Sequence, residues 1–202
     1  MSLAKQVLGG TGAVTLAGVG GRILSFATVP VLSYLLGAGP YGVAAIVSTV
    51  VSLGAIVALL GIDMAYARQF LQGDPKERAR VERFCWRFSG LNALMVAGLV
   101  WAGWYWLGRR VLPDDYTAIA LYSTVAIILS VAVTMANARV RLAGDYRKLA
   151  IALLSGALIT AAVNLGVAVF WRTDVWALLF GILAGFLTTL VIAGYPRPSA
   201  LL

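Results

Sequence analysis

Five stretches of this chain, residues 41–62, 88–108, 116–138, 149–171 and 175–196, each run for 21 to 23 residues without a charged side chain. About 20 helical residues rising ~1.5 Å each cross a ~30 Å hydrocarbon layer, and a helix satisfies its own backbone polar groups there. The fold class expected from this pattern is an all-α, polytopic membrane bundle. Composition agrees: 61% of the 202 residues are apolar, 12% are charged, and mean hydropathy is +0.90. A soluble domain would carry roughly 25% charged residues. One cysteine, Cys85, rules out a disulfide scaffold. The lack of histidine removes the commonest metal ligand and the commonest general base.

The net charge of +8 reads as topology rather than nucleic-acid binding. With six spans and a cytoplasmic N-terminus, the inner segments hold Lys5, the run Arg68 to Arg87, then Arg139, Arg141, Arg147, Lys148 and Arg197. These are 12 of the 16 basic residues, whereas the outer loops hold Arg109, Arg110 and Arg172. Such a bias sets an N-in, C-in orientation and brings the inner loops to anionic lipid headgroups. No nucleic-acid partner is expected.

Only the first span lacks an uncharged run. Gly37-Ala38-Gly39-Pro40 separates it from the second, and counting back about 20 residues requires it to include Arg22. A cleaved signal peptide is the rival reading of this region. The expected spans are 8–36, 41–70, 86–108, 115–141, 148–171 and 175–194, forming one transmembrane domain, with a charged helical stretch opened by Gly73-Asp74-Pro75. Aromatic residues cluster at the outer ends, among them Trp101, Trp104, Tyr105, Trp106 and Tyr116, as in an interfacial belt.

Arg22 is the residue that points to function. A cation at mid-membrane costs about 2.5–3.5 kcal/mol and faces a bundle interior or water-filled cavity, unless it snorkels to the headgroups. Thr11, Thr15, Gly18, Arg22 and Ser25 follow one another at gaps of 4, 3, 4 and 3 residues, which places them on one helix face. Measured along straight helices, Asp63 lies ~12 Å deeper than Arg22, beyond ion-pair reach. A second stripe, Ser123, Ser130, Thr134, Asn137 and Arg141, grows more polar toward the cytoplasm. It reads equally as a vestibule wall or as interhelical glue. Gly156, Thr160 and Asn164 read as glue, and Gly181-xxx-Gly185 as packing. The glycine runs 9–12 and 18–21 follow no strand and lack a P-loop lysine. Asp114-Asp115 reads as a solvated loop, and no catalytic or metal-binding residues are expected.

Arg22, Pro30-Val31-Leu32, Leu36-Gly37, Tyr41-Gly42, Leu60-Gly61-Ile62 and Ala67-Arg68 together resemble the Wzx-like polysaccharide flippases of the multidrug/oligosaccharidyl-lipid/polysaccharide exporter superfamily. The resemblance covers about a quarter of the chain by motif and nearly all of it by layout. It implies a transporter for an undecaprenyl-diphosphate-linked oligosaccharide in a bacterial or archaeal cytoplasmic membrane, serving O-antigen or other polysaccharide synthesis. That family has two six-helix lobes, so the chain is expected to be one lobe needing a second lobe or a second copy. The resemblance further implies no enzymatic activity, no resident cofactor, and coupling to Na+ or H+. Arg22, Ser25, Thr15, Ser130, Thr134, Asn137 and Arg141 are the expected substrate-binding residues. The alternative is a non-transporting scaffold for polysaccharide-assembly proteins. A drug or cation exporter fits less well, because no acidic residue lies deep in a span.

Overall fold

The computed structural model describes residues 3–72, 74–108, 110, 116–170 and 174–194. Arg109, Asp114-Asp115, Trp171, Arg172 and the segment from Tyr195 lie outside the described residues, as do the side chains of Lys5 and Thr11. The described chain consists of helices: α1 (Leu3–Leu36), α2 (Ala38–Leu59), α3 (Ile62–Gln72), α4 (Pro75–Gly103), α5 (Tyr116–Leu142), α6 (Tyr146–Phe170) and α7 (Val175–Ala193). All except α3 are long and apolar enough to cross a membrane.

The helix boundaries follow local chemistry. Gly37 has φ +76°, a left-handed conformation that costs glycine little, and its N–H donates to the Ser33 carbonyl at 3.1 Å. Pro40 sits in the first turn of α2, where no donor is lost. Asp74 N–H donates to Glu77 at 3.3 Å and Pro75 opens α4. At the start of α7, Asp174 accepts from the Val175 N–H at 2.6 Å.

Two expectations need correction. The second span does not run unbroken from 41 to 70: the chain turns at Leu60 and Gly61, with φ +46° and +74°, and restarts as α3. Asp63 therefore lies in the first turn of α3, where a carboxylate complements the helix N-terminus. The straight-helix depth assigned to it no longer applies. The third span begins at Pro75 rather than 86, because the charged stretch is continuous with it, and it ends in a π-helical turn, Trp104–Gly108.

The described residues form two compact units, one containing the chain up to Ala44 together with the chain from Arg139, the other Ala45–Ala138. In the first unit α6 packs against both α1 and α7. The α6–α7 interface is interlocked: Gly156 faces Thr189, Gly185 faces Thr160, and Gly181 faces Asn164. Each helix thus offers polar side chains to glycines on the other. A β-carbon on Gly181 would sit 2.7 Å from the Thr160 carbonyl and overlap the Asn164 amide. Thr189 bonds the Gly185 carbonyl at 2.9 Å and reaches that of Ala152 at 3.4 Å. The close approach expected of the fifth span is there, but the hydrogen bond across it comes from Thr189 on the sixth, while Thr160 bonds the Gly156 carbonyl of its own helix at 2.9 Å and the buried Asn164 Oδ1 accepts none.

In the second unit α3 and the start of α4 form a short hairpin. The Arg78 guanidinium lies 5.1 Å from the Phe70 ring, and Tyr66 meets Phe70 edge-on at 5.7 Å. Further along the unit α2, α4 and α5 converge on Gly54, where a β-carbon would lie 3.5 Å from Val96 and 2.8 Å from Ile127.

Candidate functional site

Arg22 belongs to the least covered helix. Only 11% of the α1 span is buried, against 44% of α5. The α1 backbone meets α6 through Gly20 and Gly21, whose β-carbon positions lie 3.6 Å from Leu154 and 3.3 Å from Ala157. Next to that contact the Arg22 side chain emerges exposed. It lines a groove of about 450 Å³ with Gly18, Ser25, Phe26 and Val29 of α1, and Leu153 and Ala157 of α6. No ion pair or hydrogen bond ties its guanidinium to another described residue. The glycines matter here: small residues hold α1 close to α6 and leave open the space beside Arg22.

Ser25 shares this groove, and its hydroxyl bonds back to the Gly21 carbonyl at 2.9 Å. Thr15 is exposed on α1 but does not line the groove. Arg22 and Ser25 are therefore brought together, and the expected stripe contracts to that pair.

The stripe on α5 forms a gradient within one helix. Ser123 is fully buried and bonds the Ile119 carbonyl at 2.8 Å. Ser130, Thr134 and Asn137 are half-buried, and Arg141 is exposed. Thr134 bonds the Ser130 carbonyl at 2.9 Å. Asn137 Oδ1 is buried without a hydrogen-bond partner. None of these residues lines the Arg22 groove, which is made by α1 and α6 alone.

Two features were not anticipated from the sequence. Ser89 and Asn92, three residues apart in an uncharged run, are both buried on α4, and Asn92 Nδ2 has no partner. A buried amide left unpaired costs about 1–3 kcal/mol, which water or a polar ligand recovers. The second is a smaller pocket where the π turn of α4 meets the start of α5, lined by Trp101, Tyr105, Tyr116, Thr117 and Ala120. The sequence marks these aromatics only as a belt. Among the described residues no three acidic or cysteine side chains gather where a metal ion could be held.

A family model described as polysaccharide biosynthesis protein matches residues 31–196, from the last turns of α1 to just past α7. The chain belongs to that family. Membership in the polysaccharide biosynthesis family, together with six helices able to span a bilayer, makes this a multi-pass membrane protein of polysaccharide synthesis. The family match begins after Arg22, so the groove cation is a feature of this chain outside the matched region. No curated protein and no solved structure matches the chain.

Proposed function

We propose that this chain is one lobe of a flippase that moves an undecaprenyl-diphosphate-linked oligosaccharide from the inner to the outer leaflet of a prokaryotic cytoplasmic membrane. It acts without a resident cofactor or chemical step, coupled to a Na+ or H+ gradient. Its partner is a second six-helix lobe or a second copy of itself, with polysaccharide-assembly proteins beside it.

One observation carries this reading: a guanidinium with no described partner, 14 residues before the end of a spanning helix, in a groove beside α6. Fourteen residues correspond to ~21 Å of helix. A diphosphate is the group in such a lipid that a cation within a membrane span would select, because guanidinium matches phosphate oxygens bidentately. Ser25, one turn away, supplies a hydroxyl. The α5 gradient from Ser130 through Asn137 to Arg141 offers hydroxyl and amide partners to sugar. Family membership supports the saccharide and the membrane setting.

The test is a flipping assay in proteoliposomes holding the full chain and its second lobe, with a fluorescent undecaprenyl-diphosphate oligosaccharide as substrate. A charged hydrogen bond contributes about 1.5–3 kcal/mol, so Arg22→Ala should slow translocation roughly 10- to 100-fold, with Arg22→Lys in between. Equal rates in wild type and Arg22→Ala would remove Arg22 from the mechanism. No translocation by wild type would leave the scaffold role.

A further inference from the structure

The pocket at the end of α4 has features that a plain interfacial belt does not require. The helix changes from α to π geometry at Trp104, widening the turn through Gly108. Across that transition Trp101 and Tyr105 line one side of a pocket of about 200 Å³, with Tyr116 and Thr117 from the first turn of α5 also lining it. Ala120, almost wholly buried, is the smallest side chain in the lining. Gly108 makes this arrangement possible. A β-carbon there would lie 3.1 Å from that of Tyr116 and 3.0 Å from the Trp104 ring, so a larger residue needs Tyr116 and Trp104 to give way by a few tenths of an ångström.

The contrast lies within the same turn. Trp106 and Leu107 are 75% and 68% exposed and point outward, as belt residues do. Trp101 and Tyr105 are less exposed, at 39% and 47%, and line the pocket instead. The lining residues therefore include three with aromatic rings, Trp101, Tyr105 and Tyr116, and three that carry a hydroxyl, Tyr105, Tyr116 and Thr117, beside the small Ala120. Drug-sized ligands occupy roughly 300–1,000 Å³; this space suits a single ring.

We propose that this pocket binds one pyranose ring of the saccharide. A pyranose presents polarised C–H groups on its faces and hydroxyls around its edge. The negative faces of aromatic rings attract those C–H groups, as they attract the positive edge of another aromatic ring. Hydroxyls in the lining answer the sugar's edge. The proposal rests on the saccharide part of the function proposed above and is independent of Arg22. With the N-terminus inside, the pocket lies at the outer end of its span, where a translocated sugar would arrive.

The experiment uses the full chain in lipid nanodiscs and saturation-transfer NMR with the methyl glycosides of glucose, galactose, mannose and N-acetylglucosamine. At least one glycoside should show saturable transfer. Trp101→Leu should weaken that binding about tenfold, the scale of one lost ring contact, while Trp106→Leu leaves it unchanged. Thr117→Phe, at an exposed position, keeps every ring and fills the pocket, and should also abolish transfer; it guards against misfolding of the Trp101 variant. No saturable transfer from any of the four, or equal loss in the Trp101 and Trp106 variants, overturns the proposal and leaves a headgroup belt. Arg22→Ala separates the two readings. If it flips normally while glycoside binding depends on Trp101, the diphosphate role falls and the pocket stands. If it abolishes flipping while no glycoside binds, the reverse holds.

Discussion

At the scale of the residue, Arg22 is a position where solvation and function pull in opposite directions. An arginine at the centre of a span costs about 2.5–3.5 kcal/mol on insertion scales, and no described partner offsets this. Replacing it with leucine should therefore stabilise the fold while removing the proposed phosphate contact, the usual trade between stability and activity. The expected outcome for Arg22→Leu is an unchanged or higher unfolding midpoint in detergent, by a few degrees, with flipping lost. A lower midpoint would mean that Arg22 holds the fold together. Its isolation was legible in the sequence because charge is so rare in these spans. Its surroundings were less so: which of Thr15, Gly18 and Ser25 accompany it depends on how α6 lies against α1, and helical spacing within α1 does not contain that. The depth assigned to Asp63 loses its premise for a related reason. It was measured along a helix that the left-handed Leu60-Gly61 pair interrupts.

At the scale of the element, the spans were legible from length and apolar content, since a bilayer leaves few alternatives to a helix of about 20 residues. Their interfaces were legible only in part. Small and hydroxyl residues recurring on the fifth and sixth spans announced close packing, but the pairing of each polar side chain with a glycine required the register between two helices. That register makes a prediction. Gly185→Val places a β-carbon 2.9 Å from the Gly156 carbonyl and over the Thr160 side chain. The helices must part, and overpacking of this kind costs about 1–3 kcal/mol. Gly166→Ala, on α6 with nothing within 4 Å of its β-carbon, should be neutral or slightly stabilising, because alanine is the better helix former. Thermal unfolding of the two variants in one detergent measures the contrast. A Gly185→Val midpoint equal to wild type would mean that the α6–α7 contact is looser than its geometry implies. The π turn at Trp104–Gly108 carried no sequence signal beyond its dense aromatics, because a wider turn of the same helix leaves the apolar pattern of the span unchanged.

At the scale of the whole molecule, the inner-loop bias of basic residues predicts both termini in the cytoplasm, and a green fluorescent protein fused to the C-terminus should fluoresce in cells; a dark, exported fusion would invert the topology. The environment of the Arg22 groove calls for a separate measurement. The exposed apolar residues of α1, such as Ile23 and Phe26, would be comfortable in lipid, whereas Arg22 on the same helix would not. A second lobe that encloses a water-filled cavity accommodates both, with apolar residues at the seam and the cation facing water. Single cysteines in a Cys85→Ala background distinguish this from a lipid-facing groove, since Cys85 is the only native thiol and is buried. Ser25→Cys, beside Arg22, and Thr134→Cys, on the α5 stripe, should react with a membrane-impermeant, charged thiol reagent. Leu99→Cys, on an exposed apolar position of α4, should not, because a thiol facing hydrocarbon is rarely ionised and cannot be reached by a charged reagent. Saturating phosphate-bearing substrate should protect position 25. Labelling at 25 no faster than at 99 would place the groove against lipid, and Arg22 would then be a snorkelling cation with no substrate to bind.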